Sequence, residues 1–75
     1  MVTRHRVTLQ FAPGGPTVEG EWTAPATAKT RYTQWVGLYG TDPDVVIQLI
    51  EETDGQRRVR KTWTTRGEAT GDAAH

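Results

Sequence analysis

Seventy-five residues with no cysteine, two histidines and nine bases against nine acids make one small domain. They leave no disulfide staple and no thiolate metal site, and zero formal net charge argues against a strongly basic nucleic-acid binder. No apolar run approaches the roughly 20 residues that span a bilayer, and the charged N-terminus, Met1 to Arg6, does not read as a secretory signal.

Arg4 to Phe11 alternates, with Val7, Leu9 and Phe11 on one side and Arg6, Thr8 and Gln10 on the other, the pattern of a half-buried strand. Ala12-Pro-Gly-Gly-Pro16 is a turn, because its glycines permit positive φ and its prolines fix theirs. Thr17 to Thr23 alternates again, Val18, Gly20 and Trp22 inward and Glu19 and Glu21 outward. The two strands form an antiparallel hairpin whose outward acids meet outward Arg6. Gly20 leaves room on the inner face for an aromatic of the helix that follows.

That helix covers residues 24 to 39. At about 100° per residue, Ala24, Ala28, Tyr32, Trp35, Val36 and Tyr39 share one arc, opposite Ala26, Lys29, Thr30, Thr33 and Gly37. Thr23 is placed to cap it, Pro25 suits the first turn, and Gly40 or Gly37 is placed to end it in the left-handed conformation. Its threonines are poor helix formers, so packing on a sheet must hold it.

Gly40 to Asp44 is a loop. Val45 to Thr53 is a third strand, apolar on both faces: Val45, Ile47 and Leu49 one way, Val46 and Ile50 the other. Such a strand is interior or covered on both sides. Thr53-Asp-Gly-Gln56 is a hairpin turn leading into a fourth strand, Arg57 to Thr65. A two-residue turn pairs Ile50 with Val59 and Val46 with Trp63. A three-residue turn pairs Leu49 with Val59 and Val45 with Trp63, and it is favoured because it keeps Val59 and Trp63 with the helix-facing set. Residues 67–75 are polar and aperiodic and read as a flexible tail on a domain of residues 1–66.

The fold expected is α+β: a four-stranded, mainly antiparallel sheet of order 2-1-3-4 built as β-β-α-β-β, with one helix on one face. Interior placement of the third strand favours that order.

Chemistry is sparse. Asp42 with Asp44 and Glu51 with Glu52 are paired carboxylates, yet they sit at loop and strand ends in polar company. Turn formation and cross-strand pairing with Arg57 and Arg58 explain them better than acid–base work, which needs a buried carboxyl. His5 has no evident orienting acid, and no serine or cysteine supplies a nucleophile. Neither an enzyme nor a cofactor is expected.

Charge is unevenly spread. Residues 42 to 54 carry five acids and no base, and residues 57 to 66 five bases and no acid. Arg58, Arg60, Thr62 and Thr64 fall on one face of the fourth strand, where they offer contacts to phosphates or, more simply, neutralise the acidic strand and protect a sheet edge. The leading expectation is a cytoplasmic, non-enzymatic protein-interaction module that forms a homodimer through Val46 and Ile50, ringed by Thr62 and Thr64, on the face away from the helix. The alternative is a nucleic-acid-binding domain using the strand Arg57 to Trp63, with Arg57, Arg58, Arg60 and Lys61 as contacts. Threonine, arginine and alanine usage suits a GC-rich bacterial genome, and no stretch resembles a known family.

Overall fold

The computed structural model describes residues 3–70. Its elements run β1 (Thr3–Gln10), β2 (Thr17–Trp22), α1 (Pro25–Tyr39), β3 (Val46–Thr53), β4 (Gln56–Thr64) and β5 (Gly67–Thr70). The strands form one sheet of order β2-β1-β3-β4-β5, every neighbouring pair antiparallel, with α1 on one face. The α+β class and the order 2-1-3-4 are as expected; the sheet has five strands rather than four. Residues 67–70, expected to begin a tail, are instead the fifth strand, turned back on β4 through Thr65 and Arg66 with Gly67 at φ 116°. The rest of the expected tail, 71–75, lies outside the described residues.

The core explains the interior place of β3. Val7, Leu9, Val45 and Ile47 are buried beneath Ala28 and Tyr32 of α1, and Trp22, Trp35, Val36, Leu49 and Trp63 pack around them. Phe11, Val18 and Tyr39, expected in that interface, are substantially exposed. On the other face Ile50 is only 5% exposed, set in register between Arg6 and Val59. Strand β3 therefore buries apolar side chains on both faces.

The helix follows its expected span with different ends. The N-cap is Ala24, which makes no side-chain capping bond; Thr23 does not cap. Proline at N1 decides this, because the residue before proline is driven to extended backbone, which is the N-cap conformation. Thr30 and Thr33 donate their hydroxyls to the carbonyls of Ala26 and Lys29 at 2.9 and 3.0 Å, and so remain inside the helix. Gly40 stays right-handed at φ −66° rather than turning left-handed. Its lack of a side chain serves contact instead. The Trp63 indole donates to its carbonyl at 3.0 Å, and a Cβ on Gly40 would lie 2.6 Å from Trp63 Nε1. Gly20 likewise makes room, though for Trp22 of its own strand rather than for a helix aromatic: a Cβ there would approach the ring's Cζ3 to 2.8 Å.

The second hairpin settles the register with a feature of both alternatives. Asp54 and Gly55, at φ 53° and 81°, form the two-residue turn, and Ile50 pairs with Val59 on the face away from the helix. The register then shifts between Ile50 and Leu49, so that Leu49 pairs with Lys61 and Ile47 with Trp63. Arg60 is the extra residue of this bulge. It carries Trp63 to the helix side while Val59 stays on the other.

Candidate functional site

Three surfaces emerge. The first is the sheet face away from α1, where the charges of β1, β2, β3 and β4 form a ladder. Arg6 bonds to Glu52 at 3.0 Å and Glu19 at 2.9 Å and lies 3.6 Å from Glu21. Arg4 bonds to Glu21 at 3.0 Å, and Arg57 bridges Glu19 at 3.2 Å and Glu52 at 3.7 Å. The hydrogen bond to Glu52 above all raises the Arg6 guanidinium beyond its already high range, against the opposing pull of burial. Three bases and three acids are thus matched across four strands. Arg6 meets the β2 acids as the sequence implies, and Glu52 pairs with Arg57. Glu51 stands opposite Arg58 in register, with no ion pair between them among the described residues.

Val46, Ile50, Thr62 and Thr64 do share this outer face, with Thr62 opposite Gln48 on β3. Ile50 is already buried within the chain, however, so only half-buried Val46 and Val59 remain as apolar surface there. Arg58 and Arg60 do not join Thr62 and Thr64. Arg58 pairs with Glu51 on the helix side, and the bulge parts the arginines from the threonines.

The second surface is a cleft of about 240 Å³ between the N-terminal half of α1 and the sheet, lined by His5, Lys29, Leu49, Glu51, Arg60 and Lys61 together with Pro25. Arg58 lines an adjoining hollow that shares Glu51. Here Arg60 and Lys61, consecutive in sequence, face the same opening because of the bulge. Glu51 is the cross-strand neighbour of His5. Lys29 and His5 were not linked to the basic strand by any sequence signal, since that link depends on how α1 crosses the sheet.

The third surface is apolar. Val18 is 53% exposed, Leu38 70%, Phe11 41% and Tyr39 38%. Val18 lies on the edge strand β2, opposite Leu9, and Phe11 follows the end of β1. Phe11 meets Tyr39 edge to face with ring centroids 5.4 Å apart. Farther along β2, the Arg31 guanidinium sits 5.9 Å from the Trp22 ring centroid, a cation–π distance. The sequence assigned Phe11, Val18 and Tyr39 to the core by alternation, which cannot show where a fifteen-residue helix stops covering a sheet edge.

The carboxylate pair Asp42 and Asp44 makes turn structure: the Asp44 amide donates to Asp42 Oδ1 at 3.1 Å, and Val45 N–H to the Asp42 carbonyl at 3.2 Å. Tyr32, 2% exposed, donates its hydroxyl to Glu68 of β5 at 3.1 Å. Burial first, and then the Glu68 hydrogen bond and charge, push its phenol well above the usual range. Among the described residues no three His, Asp or Glu side chains converge as a metal-ligand set, and no helix is long and apolar enough to cross a membrane. No protein-family model, curated protein or solved structure matches the chain.

Proposed function

We propose that this chain is a small non-enzymatic, cytoplasmic protein-interaction module that self-associates, with two copies meeting along β2. The observation that carries this reading is the exposure of Val18 on an unpaired sheet edge together with Phe11 after β1 and Leu38 and Tyr39 at the end of α1. Each large apolar side chain left in water forgoes about 1.5–3 kcal/mol of burial, and only 35% of the chain is hydrophobic. Four such side chains are a large share of what a domain this size has to bury.

The edge itself supports a second copy as occupant. Strand β2 has β1 on one side and no strand on the other among the described residues, so its outward amides and carbonyls can pair across a two-fold axis. Glu19 and Glu21 would bring like charges together on such an edge, but Arg4, Arg6 and Arg57 already match them. The outer face offers less, since Ile50 needs no partner. The buried phenol of Tyr32 supports a non-enzymatic role, because it is held by Glu68 with its pKa pushed away from neutrality, which suits packing rather than proton transfer.

Sedimentation velocity tests the reading. The wild type is expected to be dimeric, Leu38→Glu and Val18→Lys monomeric and folded, and Val46→Lys still dimeric. A wild type that stays monomeric to near-millimolar concentration refutes self-association. A dimer broken by Val46→Lys and untouched by Leu38→Glu moves it to the outer face and refutes the β2 contact.

A further inference from the structure

The charges of this neutral chain are sorted between the two faces of its sheet. On the outer face Arg4, Arg6 and Arg57 are held by Glu19, Glu21 and Glu52. On the helix side Lys29, Arg60 and Lys61 line the cleft with Glu51, and Arg58 lines the adjoining hollow, which Glu51, Asp54 and Arg57 also line. No ion pair holds Lys29, Arg58 or Lys61 among the described residues, so their charges are available to a ligand. The N-terminus of α1 adds to the same field. Pro25 lines the cleft, the N-cap side chain accepts no bond, and the first turn contains no acid to offset the positive end of the helix.

From these observations we infer that the cleft between the N-terminal half of α1 and strands β3 and β4 binds the phosphodiester backbone of a nucleic acid. Arg58 and Lys61 are three residues apart, a span of about 10 Å at the usual rise of a strand, and Lys29 faces them from the helix. Cations spread over that length suit successive phosphates better than one anion, which would need donors converging in an enclosed pocket. No phenylalanine, tyrosine or tryptophan lines the cleft, and the single imidazole of His5 is no platform for stacking successive bases. Recognition is therefore of charge, with little dependence on sequence. The bulge is the device that makes it. In an unbroken strand Arg60 and Lys61 would point to opposite faces; the extra residue turns both to the cleft.

This inference does not depend on the β2 contact, which involves other residues. Fluorescence anisotropy with a labelled duplex and a labelled single strand of arbitrary sequence tests it. With three phosphates neutralised, by Lys29, Arg58 and Lys61, duplex affinity should fall about fortyfold as salt rises from about 50 to about 200 mM. Replacing Lys29 and Lys61 together by Gln should weaken binding to all sequences alike and flatten the salt slope by about two. Arg4→Gln removes an outer-face charge on β1, away from the cleft and the adjoining hollow, and should leave binding unchanged. Inorganic tripolyphosphate is the competing anion, expected to displace the oligonucleotide only weakly. Absence of salt-sensitive binding in the wild type overturns the inference without recourse to any variant. So does an Arg4→Gln loss equal to that of the lysine pair, or tripolyphosphate binding that oligonucleotides cannot displace.

Discussion

Truncating Trp63 tests the register on which both faces of the sheet depend. Its ring packs against the core opposite Ile47, and its indole N–H donates to the Gly40 carbonyl at 3.0 Å, tying β4 to the end of α1. Removing a fully buried tryptophan side chain costs about 3–5 kcal/mol. Trp63 is partly buried, which sets the transfer and cavity cost near the lower end, about 3 kcal/mol. Loss of the donor to the carbonyl of buried Gly40 adds about 1 kcal/mol. Total stability for this length is about 4–11 kcal/mol, so Trp63→Ala should remove a large fraction of it. At about 4–8 °C per kcal/mol, Tm should fall by at least about 16 °C. Trp63→Phe keeps most of the ring and loses only the hydrogen bond, so about 4–8 °C is expected. Thermal melts followed by far-UV circular dichroism measure both. If Trp63→Ala costs under about 1 kcal/mol, the ring stands on the outer face opposite Val46, as uninterrupted pairing from the two-residue turn requires, and the bulge is wrong.

Two further substitutions probe the packing around it. Gly20→Ala places a Cβ against the Trp22 ring and should cost about 1–3 kcal/mol by overpacking; Trp22→Ala in the same chain should make that alanine nearly neutral, and additive losses in urea titrations would refute the contact. Tyr32 makes stability depend on alkaline pH, because its raised folded pKa keeps the phenol protonated where the unfolded phenol ionises. Its contribution is fully present below about pH 10, the unfolded value, and is lost as pH rises from there through the folded value. The stability gap between wild type and Tyr32→Phe should therefore narrow in urea titrations above about pH 10, and a gap independent of pH would mean that the phenol is not held protonated.

Much of the sheet is legible from alternation because each face has its own environment. Arg6, Glu19 and Glu21 point outward together, Val7 and Leu9 inward together, and the two-faced β3 belongs in the interior. Strand β5 is not legible in this way. Glu68 and Ala69 carry no apolar alternation, and the strand is held by pairing with β4 and by the Tyr32 hydroxyl on Glu68. Both arise from the tertiary structure alone. The helix ends illustrate the same limit. Thr23 is a good capping residue, but Pro25 fixes the cap one position later, and Gly40 is glycine because both the Val36 carbonyl and a tryptophan twenty-three residues downstream lie against it.

The candidate surfaces were hidden for a related reason. A net charge of zero says nothing about how the charges are partitioned, and alternation assigns faces only while the ladder is unbroken. One extra residue at Arg60 reverses the assignment for everything after it. Without the bulge, Trp63 would leave the core, and Arg60 and Lys61 would be divided between the faces. With it, the indole reaches Gly40 and the two cations meet Lys29 across the cleft. The same residue thus serves both packing and charge on the helix side of β4. Its position is set by two demands that no local pattern contains: a turn at Asp54 and Gly55 that fixes where pairing begins, and a core that fixes where Trp63 must arrive. Those two points are one residue out of step, and the bulge absorbs the difference.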